Sequence, residues 1–327
     1  MQTTFHSILT PALQIAYEQS GLDTGEPILL LHGFPYDVRE YDEVRDLVAR
    51  EDSRIIVPYL RGFGPTRHRS ERSFRSGQQA ALGKDVVDLL DALKIERATL
   101  VGYDWGGRAA CVAAVLWPLR VRALVSVGGY TVQDIAKAAL TPESAEQEWQ
   151  FWYQWYFQTE RGRQGLDTNR DELCRLLWKL WSPGWKFSED LFLTTAKSFH
   201  NPDFVATVIQ SYRHRYRNAP GDPALEELEA ELARRPSIRC PTIVLHGEDD
   251  RVNPPVTSEA QEDYFTSDYE RRVLRGVGHC PPAESPNEVA QAIKDVMGPQ
   301  TQRRTALKLT SPGAEYAENY DSSSEFR

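Results

Sequence analysis

The strongest constraint on this chain is an alternation of short apolar runs with amphipathic segments. Runs rich in Ile, Leu and Val at residues 27–31, 54–57, 98–101 and 121–127 have strand length, and residues 13–19 read as an earlier strand. Between them, residues 41–50 are polar and amphipathic. Residues 78–93 carry Val86, Leu89, Leu90 and Leu93 on one helical face, and residues 105–117 read as a further helix. Uniformly apolar runs separated by helices predict a mostly parallel sheet covered by helices, an α/β architecture. From residue 130 to 238 the pattern changes. No buried strand is expected there, and Trp149, Phe151, Trp152, Tyr153, Trp155, Tyr156, Phe157, Trp178, Trp181 and Trp185 crowd a helical stretch. Strands return at 241–246 and 269–274, followed by a helix at 286–297. An interruption of about a hundred residues is too long for a loop inside a compact sheet domain. The expected organisation is a core from residues 1–129 and 239–298, an inserted helical cap at 130–238, and a disordered polar tail at 299–327.

Composition narrows the function. The chain has 38 Lys and Arg against 47 Asp and Glu, a formal net charge of -9. That argues against sequence-independent nucleic-acid binding, which needs a basic surface. No apolar stretch is long enough for a membrane span, and the first residues lack the basic start and apolar core of a secretory signal. Cys111, Cys174, Cys240 and Cys280 match no zinc or redox spacing and read as free thiols in a reducing cytoplasm. The charge balance says little about small-molecule substrates; the expectation for the chain as a whole is a cytoplasmic monomer or homodimer acting on a small molecule, with no metal and no cofactor implied.

The chemistry sits where the strand at 98–101 meets the next helix, at Gly102-Tyr103-Asp104-Trp105-Gly106-Gly107. In a G-x-nucleophile-x-G turn the glycines remove Cβ atoms that would clash, and the central side chain projects over the carboxyl ends of the strands. Here that side chain is the carboxylate of Asp104. With a reference pKa of about 3.9 it is ionised at neutral pH and suits attack on a saturated carbon. The product is an ester, which water must cleave with the help of a base. Two later strands end in Gly247-Glu248-Asp249-Asp250 and in Gly276-Val277-Gly278-His279. His279 is the candidate base, oriented by one of the neighbouring acids. His246 and His32 read as structural.

Together with His32-Gly33-Phe34-Pro35 after the strand at 27–31, these motifs make the chain resemble the aspartate-nucleophile branch of the α/β-hydrolases, and most of all the epoxide hydrolases, over residues 5–297. The resemblance implies an α/β-hydrolase fold with an inserted helical cap. It selects Asp250 over Asp249 by its spacing from Gly247, and it implies an oxyanion hole made by the backbone N–H groups of Phe34 and Trp105. Tyr153-Gln154-Trp155-Tyr156-Phe157-Gln158 resembles the epoxide-hydrolase motif whose first tyrosine points into the site. Tyr212, in Gln210-Ser211-Tyr212-Arg213, resembles the second cap tyrosine, with Tyr216 as a competitor. Two phenols suit ring opening, because the epoxide oxygen needs a proton as its bond breaks. The implied activity is conversion of an epoxide to a vicinal diol, on a mostly apolar substrate contacted by Trp105, Phe34 and Trp155.

Haloalkane and fluoroacetate dehalogenases share the core motifs, so a dehalogenase is the alternative. Trp105 follows the nucleophile as in haloalkane dehalogenases, but the Asn those enzymes commonly carry at the position of Phe34 is absent. A non-catalytic ligand-binding protein on the same fold is a third possibility. Tyr59, before Arg61-Gly62-Phe63-Gly64, replaces an acid usual in these families.

Overall fold

The computed structural model describes residues 2–298, so the tail expected at 299–327 lies outside the described residues. Nine strands form one sheet: β1 (Thr3–Leu9), β2 (Leu13–Gly21), β3 (Glu26–Leu31), β4 (Ser53–Pro58), β5 (Arg67–His68), β6 (Ala98–Tyr103), β7 (Val121–Val127), β8 (Thr242–Gly247) and β9 (Tyr269–Leu274). The order is β1-β2-β4-β3-β6-β7-β8-β9, with β5 beside β2. Pairing is parallel from β4 through β9 and antiparallel for β1, β2 and β5. The mostly parallel α/β sheet read from the apolar runs is therefore present. β1 escapes that reading because its sequence, TTFHSIL, is an exposed or half-exposed edge strand with no apolar run.

The helices of the sheet layers are α1 (Asp42–Val48), α2 (Gln79–Ala92) and α3 (Trp105–Leu116), with α12 (Pro281–Glu284) and α13 (Pro286–Met297) at the end. Between β7 and β8 lie α4 (Ile135–Ala138), α5 (Ala145–Gln150), α6 (Trp152–Phe157), α7 (Glu160–Thr168), α8 (Arg170–Trp181), α9 (Glu189–Phe199), α10 (Phe204–Arg215) and α11 (Glu226–Leu232). No named strand interrupts them among the described residues. The aromatic residues crowding this stretch are divided between roles. Trp178, Phe157, Phe192, Phe199 and Phe204 are fully buried, whereas Trp149 stands out in solvent. Trp178 also donates its indole N–H to the carbonyl of Pro35 at 2.8 Å, tying α8 to the loop after β3.

β6 is buried along its whole length, as Ala98-Thr99-Leu100-Val101-Gly102-Tyr103 must be at the centre of a covered sheet. The chain leaves β3 for β4 on one side of the sheet and reaches β6 on the other. Open α/β sheets form a crevice where the strand order switches in this way, at the carboxyl ends of the two strands.

One buried ion pair braces this end of the sheet. Arg61, in the loop after β4, presents Nε and a terminal nitrogen to the two carboxylate oxygens of Asp85 on α2, each at 2.6 Å. Its other terminal nitrogen donates to the carbonyl of Ser76 at 2.8 Å. Removing one partner leaves an uncompensated buried charge, so Arg61→Met should lower the unfolding free energy by about 3–5 kcal/mol. Arg61→Met combined with Asp85→Leu should recover most of that loss in urea titrations. An Arg61→Met variant as stable as the wild type would show that the pair does not brace the loop.

Candidate active site

The turn from β6 into α3 places Asp104 at φ 48° and ψ -114°, outside the regions that side chains other than glycine normally occupy. Two close backbone approaches hold it there. A Cβ on Gly102 would collide with the carbonyl of Gly106, and one on Gly106 would collide with the carbonyl of Leu31 at the end of β3. The strain redirects the side chain. An Asp before a helix ordinarily accepts from that helix's second or third amide. Asp104 makes no such bond. Its carboxylate instead takes the backbone N–H of Phe34 onto Oδ1 at 2.8 Å and is also hydrogen-bonded by the backbone of Trp105. The two amides named from the sequence therefore converge on the carboxylate of Asp104.

His279 follows β9. Its Nδ1 donates to Oδ2 of Asp250 at 2.7 Å, and its Nε2 lies 3.8 Å from Oδ2 of Asp104. Nε2 is buried and has no hydrogen-bond partner among the described residues. Asp250 is held in turn by the amides of Val252 and Asn253, which donate to Oδ1 at 2.8 and 2.9 Å. Of the two adjacent acids, Asp250 is thus the one that meets the imidazole. The ring is wedged edge-on against Tyr103 and Trp181, and its own amide donates to Ser182 at 2.8 Å.

The charges interlock. Burial pushes the pKa of His279 down, but the flanking Asp250 and Asp104 outweigh it and raise it to about 10. Burial likewise pushes Asp104 up, and His279 with the amides of Phe34 and Trp105 reverses this, leaving its carboxyl below the usual carboxylate value. His246 and His32 make their hydrogen bonds elsewhere, although Nε2 of His246 also lies 3.8 Å from Oδ2 of Asp250. His246 bonds Ser258 at 2.8 Å and the carbonyl of Asn253 at 2.6 Å, and His32 accepts the amide of Leu60 at 3.0 Å.

Rings from the helices after β7 close over Asp104. Tyr153 on α6 and Tyr212 on α10 are buried with ring centres 5.4 Å apart, and Tyr212 packs on Phe34 and Trp105. Burial, and then the charge of Asp104, push the phenol of Tyr212 above its ordinary value. Burial also dominates at Tyr153, which Asp104 raises as well. Tyr216, one turn further along the chain, also lines the cavity, but its hydroxyl donates to Gln154 at 3.0 Å and its ring lies against Trp155. Trp155 does not take the substrate-contacting position expected of it. It is 41% exposed and its indole N–H donates to Glu148 at 3.1 Å, because α6 turns Tyr153 inward and Trp155 outward; like the buried Phe34 and Tyr212, it is not part of the cavity wall.

Asp104 opens into a cavity of about 460 Å³. The wall near it includes Trp105, Tyr153 and His279, but Arg108, Gln133, Lys137, Gln154 and Arg215 line it too. The expectation of a mostly apolar pocket therefore fits only the part around the carboxylate. Two of these polar groups had a signal in the sequence. Arg108 lies four residues after Asp104 on one helix, and Arg215 lies three after Tyr212 on another, so each shares a face with a residue already singled out. Trp181, packed on His279, had no signal beyond the general density of aromatics. Among the described residues no cluster of three or more side chains suits a metal ion, and no helix is long and apolar enough to cross a membrane.

Comparison with known proteins places this geometry. The family described as alpha/beta hydrolase fold matches residues 26–286. A crystal structure from Klebsiella pneumoniae subsp. pneumoniae, described as a candidate epoxide hydrolase, is 40% identical, covers 89% of this chain and 96% of its own, and superposes with a TM-score of 0.86. An epoxide hydrolase of Caballeronia sordidicola is 32% identical over 119 residues, and the match spans only 35% of that relative's length. Epoxide hydrolase A of Mycobacterium tuberculosis is 24% identical over 84% of this chain and 92% of its own.

His279 gains its two carboxylate neighbours on folding, which sets the sign of a pH effect. Its folded-state pKa of about 10 lies above the unfolded value of about 6.5, so its stabilising contribution is complete below about pH 6.5 and disappears as pH rises through about 10. Asp250→Asn removes the nearer charge. Denaturation measured between about pH 6 and pH 10 should show a shallower alkaline loss of stability in that variant than in the wild type. Equal losses in the two proteins would mean that the imidazole is not stabilised in this way.

Proposed function

The chain belongs to the alpha/beta hydrolase fold family, and we propose that it is an epoxide hydrolase that forms and cleaves an ester on Asp104. The observation that carries this reading is the pair of buried phenols, Tyr153 and Tyr212, facing a carboxylate whose own base stands 3.8 Å away with a free nitrogen. The names of the relatives, epoxide hydrolases, agree with it.

The first step is attack by Asp104 on a ring carbon. Oδ1 is tethered to the amide of Phe34, so Oδ2 is the oxygen free to attack. The C–O bond of the ring breaks, and the ring oxygen takes a proton from Tyr153 or Tyr212. Alkylation cancels the charge of Asp104. The imidazolium of His279 thereby loses one of its two carboxylate neighbours and releases its proton, which restores the phenol. Neutral His279, oriented by Asp250, then takes a proton from water as the water oxygen adds to the ester carbon. The negative charge that develops on Oδ1 is met by the amides of Phe34 and Trp105. Collapse expels the diol, the departing alkoxide takes the proton of the new carboxyl group, and Asp104 and protonated His279 are regenerated. The sum is epoxide plus water to diol. The helices between β7 and β8 act in this reading as a lid that supplies the acids and excludes bulk water.

One observation favours dehalogenation as a second reading. The indole N–H of Trp105 is buried without a partner among the described residues, and it would suit a departing halide. The two activities separate cleanly. His279→Gln incubated with styrene oxide should accumulate an adduct of the epoxide's mass on the peptide carrying Asp104, seen by mass spectrometry. Tyr153→Phe and Tyr212→Phe should each slow epoxide turnover by about 10²-fold or more. Release of halide from haloalkanes or haloacetates, with no diol from epoxides, would overturn the proposal.

A further inference from the structure

We propose that the epoxide accepted by this site carries a carboxylate, held between the guanidinium groups of Arg108 and Arg215, so that the substrate is an epoxy acid of the glycidate type. The proposal rests on the epoxide-hydrolase reading and adds the substrate class to it. Both arginines line the cavity into which Asp104 opens. Arg108 sits one helical turn beyond Asp104, its amide donating to the carbonyl of Asp104 at 2.9 Å. Its guanidinium makes a single hydrogen bond among the described residues, to the neutral Oε1 of Gln133 at 2.7 Å. Arg215, at the end of α10, reaches Oε1 of Gln154 at 3.4 Å and lies over the ring of Tyr212, 4.9 Å from its centre. Neither has an ion-pair partner among the described residues.

Other inward-facing arginines show what is missing. Arg61 is clamped to Asp85, Arg45 to Glu18 and Arg75 to Asp203. Three other carboxylates of the cavity wall have partners of their own. Asp134 accepts the amide of Lys137, and Glu148 accepts from the indole of Trp155 and the amide of Glu143. Asp250 is bound to His279. Two like charges facing one partly buried cavity are unfavourable, and Arg215 accordingly weakens the protonated state of Arg108 after burial has done so. An anion placed between them offsets both charges, and a guanidinium presents a planar fork that matches a carboxylate.

The spacing limits the ligand. Four residues of helix separate Asp104 from Arg108 by about 6 Å along the axis. A ring carbon at Asp104 and a carboxylate at the arginines therefore belong to one small molecule, with the acid attached directly to the epoxide or through a short spacer. Trp105, Phe151 and Tyr153 in the same wall leave an aromatic surface for an apolar group on the other ring carbon.

The test compares trans-3-phenylglycidate with neutral trans-β-methylstyrene oxide, together with binding of cinnamate, which has the carboxylate but no epoxide. Wild-type kcat/KM should favour the glycidate by about tenfold or more, and Arg108→Gln and Arg215→Gln should each reduce that ratio by about tenfold, with Arg108→Lys keeping part of it. Cinnamate should quench tryptophan fluorescence in the wild type with an affinity that falls in Arg108→Gln. Circular dichroism checks that each variant is folded, and the two sites give independent variants. Turnover of the neutral epoxide with no preference for the glycidate and no binding of cinnamate would overturn the carboxylate proposal and leave the epoxide-hydrolase reading standing. Arginine-dependent binding of cinnamate with turnover of neither epoxide would do the reverse.

Discussion

The backbone of Asp104 is the constraint on which the rest of the site depends. Its positive φ is tolerated because Gly102 and Gly106 allow the turn to press against the end of β3. A relaxed turn would let the carboxylate cap its own helix, the usual fate of an Asp in that place. Held in the strained form, the carboxylate faces the amide of Phe34 on the neighbouring strand's loop and the imidazole of His279 beyond β9. The parallel sheet carries the cost of this strain, since β3, β6 and β8 are buried almost throughout. Strain of this kind persists only where the surroundings over-determine it.

On that frame the site is a short row of alternating charge: Asp104, His279, Asp250. Burial alone would disfavour the ionised forms of Asp104 and His279, and each is kept charged by the other, with backbone amides helping at Asp104 and Asp250 helping at His279. The row responds to chemistry at one end. Any change that neutralises Asp104 removes part of what holds the proton on His279.

Opposite this row, the helices after β7 contribute two kinds of group. Rings from α6 and α10 enclose the space above the carboxylate, and guanidinium groups from α3 and α10 face the cavity beside it. The pocket is thus aromatic around the carboxylate of Asp104 and cationic a helical turn away. α10 carries both Tyr212 and Arg215, three residues apart, so a phenol and a guanidinium are positioned by one rigid element.

Much of this was legible in the sequence because it is local. Short apolar runs declare buried parallel strands, glycines two residues either side of Asp104 declare a sharp turn, and Gly276 and Gly278 mark the loop of His279. Such patterns depend on bond geometry and burial within a few residues. The edge strand Thr3–Leu9 was not legible, since a strand exposed to solvent has no need of apolar residues. Nor was the direction of a side chain on a short helix: Tyr153 and Trp155 are two residues apart on α6, and only packing against Trp181 and Tyr212 turns one inward and leaves the other outside. The resemblance named Asp250 by its spacing from Gly247, but its contact with His279, and the presence of Arg108 and Arg215 in one cavity wall, join segments more than twenty-five and a hundred residues apart. The sequence by itself determined the sheet, the elbow and the types of residue available for chemistry. Tertiary structure alone decided which of them share a cavity and which charges lack a partner, because those are properties of distances across the chain, which local patterns do not encode.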